Sequence, residues 1–227
     1  MNHAAKLQID FVSDVACPWC AVGLNALETA LQRLTPELQV ELHFQPFELN
    51  PDMAPEGADA AAYLKAKYGM GDEQLAHNRA VIRERGAAVG FTFGDRVRVW
   101  NTFDAHRLLH WAAEPGQPAG AQRALKHALL QAYHGEGRNP GAREVLLDLA
   151  GRVGLDEAVA ADVLQRGLYA DDVRAAEHEW QQAGIRSVPA IVINRQHLIS
   201  GGQPPEVFEQ ALRQIATRMA STHPGQA

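Results

Sequence analysis

The chain has 227 residues, 46% of them hydrophobic, which suits one large domain or a domain with an insertion and excludes a disordered chain. A net charge of −6 argues against a nucleic-acid footprint, and no run nears the ~18 apolar residues of a membrane span. The opening MNHAAKLQIDF lacks the apolar core of a secretory signal and is interrupted at Asp10, so a cytoplasmic protein is expected.

Taken in order, residues 7–13 carry Leu7, Ile9, Phe11 and Val12 and read as a strand. Cys17 and Cys20, the only cysteines, follow in one C-x-x-C. Leu24, Leu27, Leu31 and Leu34 then recur at helical spacing, predicting a helix over 18–34 that stops before Thr35 and Pro36. Pro18 suits its first position, where the ring pre-sets φ and the missing N–H would have had no partner. Val40, Leu42 and Phe44 alternate as a second strand, and Pro46 to Pro51 break the pattern. Strand, helix, strand is the beginning of an α/β layer fold.

From 55 to 185 strand signals nearly vanish. Alanine-rich, charge-laced stretches predict helices over 58–68, 72–89, 101–111, 119–133, 142–152, 156–166 and 171–183, punctuated by glycines. Asn101 reads as an N-cap with Asp104 as reciprocal cap. Residues 91–93 and 97–99 read as short extended pieces. This region is expected to be a helical insertion packed on a sheet built by 1–54 and 186–227. From 186 strands return over 188–194 and 197–200, with a turn at Asn194-Arg195-Gln196. A last helix carries Pro205 near its start and an apolar face of Val207, Phe208, Ala211, Leu212, Ile215 and Met219.

Chemistry concentrates on the cysteine pair. A cysteine reacts as its thiolate, which a helix N-terminus favours. Cys17 is therefore the expected exposed nucleophile and Cys20, about one turn on, the more buried resolving thiol. Three other readings compete. A structural disulfide is uncommon in a cytosolic chain. Zinc needs about four ligands; with no second C-x-x-C, the i,i+4 pair His106 and His110 would have to complete the set. A cluster shared across a dimer needs still more. No metal is expected. His106 is read as a packed helical histidine, with lining the groove beside the cysteines as the alternative. Pro189 cannot donate a ladder hydrogen bond and so belongs at a strand start or edge, in the ordinary trans form on sequence alone.

The pieces Asp14-Val-Ala-Cys17-Pro-Trp-Cys20, Phe47-Glu-Leu-Asn-Pro-Asp52, Asn101-Thr-Phe-Asp-Ala-His-Arg-Leu-Leu-His110 and Gly184-Ile-Arg-Ser-Val-Pro189 together resemble the DsbA-like branch of the thioredoxin superfamily, and within it the FrnE-type subgroup. The resemblance implies an α/β thioredoxin fold interrupted by a large helical insertion, with Pro189 in cis. It implies a thiol–disulfide oxidoreductase or isomerase in which Cys17 attacks and Cys20 resolves. Pro18, Trp19, Val188 and Pro189 would position the substrate chain. No cofactor is expected; glutathione is the candidate redox partner, beside protein or small-molecule thiols and disulfides. Trp19 departs from the histidine of strongly oxidising DsbA, so the potential does not carry over. The alternative is a glutathione-dependent transferase or isomerase of the kappa and hydroxychromene-carboxylate type, which typically has serine where Cys17 stands. A binding protein with a passive redox sensor is a third reading, separated from the first by catalytic cycling.

Overall fold

The computed structural model describes residues 5–35 and 37–222. The first residues of the expected leader reading, and Pro36, lie outside them.

β1 (Ala5–Ser13) and β2 (Leu38–Pro46) pair in parallel, Leu7 opposite Val40 and Phe11 opposite Phe44. They are joined by α1 (Pro18–Arg33), as a parallel pair requires a crossover. β5 (Ala190–Ile193) adds antiparallel to β1, and β6 (His197–Ser200) antiparallel to β5. The sheet order is β2-β1-β5-β6. Asn194 and Arg195 take φ of 51° and 54°, the doubly left-handed turn that fits the twist of a tight hairpin.

Alternation along the strands separates two apolar layers. Leu7, Ile9, Phe11, Ile191 and Ile193 pack with Leu24 and Leu27 of α1 and with Phe208, Leu212 and Ile215 of α9 (Pro205–Thr222). Val12, Ala190 and Val192 point the other way, against Phe47, Trp180 and Ile185. Val207, expected on the buried face of α9, is 40% exposed; the helix presents Phe208, Leu212 and Ile215 instead.

Between β2 and β5 lie β3 (Ala58–Asp59), α2 (Ala60–Tyr68), α3 (Asp72–Ala87), β4 (Arg98–Val99), α4 (Phe103–Trp111), α5 (Ala121–Leu130), α6 (Arg143–Arg152), α7 (Glu157–Gln165) and α8 (Ala170–Gln182). The expected helices are present with ends moved by one to three residues. Residues 91–93 are not a strand, whereas 98–99 pair with 58–59. Leu108, Leu125, Leu129, Leu146 and Val163 form a second core with Val15 and Ala16, so the loop before α1 is held by the helices. The expected cap at Asn101 is corrected: Thr102 is the N-cap of α4, and Asp104 pairs with Arg107. Asn101 instead accepts the Phe103 N–H at 2.8 Å. The Thr102 hydroxyl is drawn away from capping, 2.7 Å from Asp14 Oδ1.

Candidate active site

The cysteines sit where β1 hands over to α1. Cys17 is the N-cap residue, with β-region φ and ψ of −89° and 114°, and Pro18 opens the helix. The turn is closed by Cys17 N–H to Asp14 O at 3.2 Å and Cys20 N–H to Cys17 O at 3.1 Å. Cys17 therefore stands at the positive end of a 16-residue helix, the end that favours negative charge. Both cysteines are free thiols. Cys20 is fully buried; that burial first, and then the hydrogen bond and charge of Cys17, push its thiol well up, against the field of Lys126.

Cys17 is not the exposed residue the sequence suggested: it is 4% exposed. It belongs to the buried cluster against which Trp19 and Val188 pack, and its Sγ lies 3.5 Å from the Val188 carbonyl oxygen, in the loop ahead of β5. The Val188–Pro189 peptide bond is cis, and Pro189 comes just ahead of β5. The Pro189 carbonyl accepts the Gly201 N–H at 2.8 Å. Glycine lets α1 approach closely here: a Cβ at Gly23 would stand 3.1 Å from the Pro189 ring and 3.3 Å from the Gly202 backbone, so that either neighbour would have to give by a few tenths of an ångström.

Cys17, Pro18, Trp19 and Val188 share one wall of a cavity of about 1130 Å³. The opposite wall comes from α2, α3 and the segment around Arg96. Of the site residues expected from the sequence, these four line the cavity, whereas Cys20 and Pro189 do not; neither the volume nor the charged residues around it is legible in the sequence.

Beneath the turn lies a buried polar knot. Asp14 is fully buried and accepts from Ala16 N–H at 3.0 Å, Leu49 N–H at 2.7 Å and the Thr102 hydroxyl, with His106 Nε2 3.4 Å away. Burial opposes its ionisation, but His106 and the two amides prevail and hold the carboxyl below the usual aspartate range. His106 is thus a packed residue of this knot, as the structural reading of a helical histidine expects. The signal for Asp14 was its place in the motif, three residues before Cys17.

Two further residues were not legible. α5 continues as a π-helical segment, Gln131–Gly135, a local insertion often found at functional sites. It sets His134 Nε2–H on the Val15 carbonyl at 2.8 Å, and its backbone carbonyl accepts Gly94 N–H. Burial pushes His134 down to about 3, so it serves as a neutral donor. Arg96 Nη1 donates to the Ala16 carbonyl at 3.0 Å, one residue from Cys17. Among the described residues no group of three or more His, Cys, Asp or Glu is placed to hold a metal ion, and His106 is occupied with Asp14.

Comparisons with known proteins follow the same lines. A family model described as a DSBA-like thioredoxin domain matches residues 8–213. The chain is 29% identical over 208 residues to the Bacillus subtilis protein YwbO, covering 91% of this chain and 96% of that one; YwbO is described as uncharacterized. A solved probable DsbA oxidoreductase from Streptomyces coelicolor is 38% identical with a TM-score of 0.84, over 92% of this chain and 89% of that one. A cytosolic disulfide reductase, DsbM, from Pseudomonas aeruginosa, solved with glutathione, shares the fold at 21% identity and a TM-score of 0.60, over 91% and 98% of the two chains.

Proposed function

We propose that this chain, which belongs to the family of DSBA-like thioredoxin domains, exchanges thiols and disulfides through Cys17 and Cys20. The observation that carries the reading is the placement of Cys17 Sγ: at the N-terminal end of α1, on the wall of a cavity, above a buried second thiol. A Cys17 thiolate attacks a substrate disulfide, forming a mixed disulfide and releasing one substrate thiolate. Cys20 then attacks Cys17 Sγ, and the second substrate thiolate leaves. In the opposite direction a substrate thiolate opens the Cys17–Cys20 disulfide. Burial keeps Cys20 a thiol until the mixed disulfide forms, which favours Cys17 as the first nucleophile.

Trp19 and Pro18 follow the nucleophile in the chain, and the Val188 carbonyl, next to cis Pro189, lies 3.5 Å from its Sγ, where an extended substrate segment would run. The FrnE-type subgroup, the insertion bounds 55–185, a cytoplasmic setting and glutathione as redox partner belong to this reading. The Pseudomonas reductase, described as cytosolic and solved with glutathione, supports the last two. The test is insulin reduction with a small thiol as reductant: the wild type turns over and Cys17→Ser does not. A Cys17→Ser protein working at the wild-type rate would end the reading.

The size of the cavity, about 1130 Å³, favours one second reading, a glutathione-dependent transferase or isomerase acting on a small aromatic substrate. Thermal protection by glutathione that survives Cys20→Ala, with turnover of an aromatic acceptor, would support it. No protection at millimolar glutathione would remove it.

A further inference from the structure

Glu48 is the second residue after β2, and its neighbour Phe47 packs with Trp180 and Ile185, with Val188 against the same cluster. That packing fixes Glu48 in the wall of the cavity that Cys17 also lines. Two short links tie it to the nucleophile: the next amide, Leu49 N–H, donates to Asp14 Oδ2, and the Asp14 carbonyl accepts the Cys17 N–H.

The Glu48 side chain is 2% exposed. One carboxyl oxygen, Oε2, is held by Arg174; the other, Oε1, is buried with no partner among the described residues. Arg174 also holds Glu177 Oε2 at 2.7 Å, and Glu177 Oε1 is likewise buried without a partner. One guanidinium thus serves two buried carboxyl groups. A buried acceptor left unpaired is costly and calls for an explanation. The two carboxyls differ in one respect: Glu48 lines the cavity with Cys17, and Glu177 does not.

We infer that Glu48 is the group that takes the proton from an incoming substrate thiol. The inference rests on the exchange chemistry proposed above. An R–SH entering the cavity displaces the groups that cover Glu48 Oε1 and gives it its proton, and the resulting thiolate attacks Sγ of Cys17 in the oxidised pair. A bond forms between the substrate sulfur and Cys17. The Cys17–Cys20 bond breaks, its electron pair going to Cys20. Cys20 then takes up one proton, so R–SH and the protein disulfide become a mixed disulfide and a Cys20 thiol, with charge and protons conserved.

The base strength suits the task. Burial pushes the Glu48 carboxyl up to about 7; Arg174 opposes this, and the charges of Glu177 and Asp14 add to it. An ordinary carboxylate is far too weak a base for a thiol near ~8.5, and a base nearer the working pH transfers the proton more effectively. The charged groups facing Glu48 are Arg174 and Glu177 on α8 and Asp14 ahead of α1; Lys67 of α2 holds the Leu49 carbonyl.

The test uses the full-length protein, oxidised beforehand and reduced by a series of small thiols of graded acidity at pH 7.5, followed by Trp19 fluorescence. Wild type, Glu48→Gln and Glu177→Gln are compared. Glu48→Gln should be slower by about tenfold or more with weakly acidic thiols and converge on wild type with acidic ones, which arrive as thiolates. Glu177→Gln, sharing Arg174 but off the cavity, should follow wild type throughout. A Glu48→Gln protein that parallels wild type across the series overturns the inference and leaves the exchange reading intact. The inference equally falls if Glu177→Gln matches Glu48→Gln, since the effect is then one of cluster charge. A wild-type protein that no thiol reduces takes down the exchange reading and this inference with it.

Discussion

The sheet region and the helical segment between β2 and β5 divide the work of the candidate site unequally. The sheet region supplies the sulfurs. Its strands bury Leu7, Ile9 and Phe11 on one face and Val12 on the other, and end in a turn that leaves Cys17 at a helix mouth. The helical segment supplies no nucleophile. It brings polar groups to that turn: the buried Thr102 and His106 to Asp14, the buried His134 to the Val15 carbonyl and the half-buried Arg96 to the Ala16 carbonyl. The difference teaches that sulfur placement is a matter of local backbone, whereas the field around the sulfur is assembled from distant chain.

The comparison is sharpened first by removing a sulfur. Cys17→Ser should lower insulin reduction by at least about a thousandfold, since no other thiol lines the cavity, while Cys20→Ser should accumulate a mixed disulfide visible by mass spectrometry. A mutation in the helical segment with as large an effect on chemistry would break the division.

Next in size is core truncation. Leu24→Ala in the sheet layer and Leu129→Ala in the helical core, both fully buried, should each cost about 2–5 kcal/mol in urea unfolding. Equal losses in one transition would mean that the two cores unfold together; separate transitions would sharpen the boundary between them.

Asp14→Asn tests the knot that joins the regions. An amide there turns one donor toward the Leu49 N–H or the Thr102 hydroxyl and removes the charge facing His106, at a cost of about 3 kcal/mol. The pH dependence has opposite signs for the two carboxyls of this neighbourhood. Asp14 is held low, so its contribution is present above the ordinary aspartate value and lost as pH falls below it. Glu48 is raised to about 7, so its contribution is full below the ordinary glutamate value and lost as pH rises toward 7, on the order of 3 kcal/mol. Glu48→Gln should flatten chemical unfolding free energies between pH 4.5 and 7 by about that amount.

The smallest expected effect is at the contact between α1 and Pro189. Gly23→Ala places a methyl group 3.1 Å from the Pro189 ring, so the ring must give by a few tenths of an ångström. Exchange should slow by a few-fold, with a stability change of about 1 kcal/mol measured by thermal unfolding. A variant with unchanged kinetics would show that Pro189 need not keep its place against α1.

Local pattern carried much of this molecule. Apolar alternation at 7–13 and 40–44, helical spacing after Cys20 and the Asn194 turn are all properties of short windows, because backbone geometry repeats every two or 3.6 residues. The cysteine pair and the place of Pro189 at a strand start are legible for the same reason, since each residue type restricts its own backbone or chemistry; the trans form expected of Pro189 alone is corrected, the bond being cis as the resemblance implied. The N-cap of α4 was misplaced by one residue because the Thr102 hydroxyl is claimed by Asp14, 88 residues away in sequence. Of the π-helical turn at Gln131–Gly135 the sequence shows only ordinary helix ending at Tyr133, because the register of the turn answers to Val15 and Gly94.

By itself the sequence determined the order of elements, the thiol pair at the mouth of a helix and the proline that ends the far approach to it. Tertiary structure alone decided how buried Cys17 is, how large the cavity beside it is, and which charges reach it. Burial, desolvation and shared partners such as Arg174 depend on groups brought together from across the chain, and no window of sequence contains them.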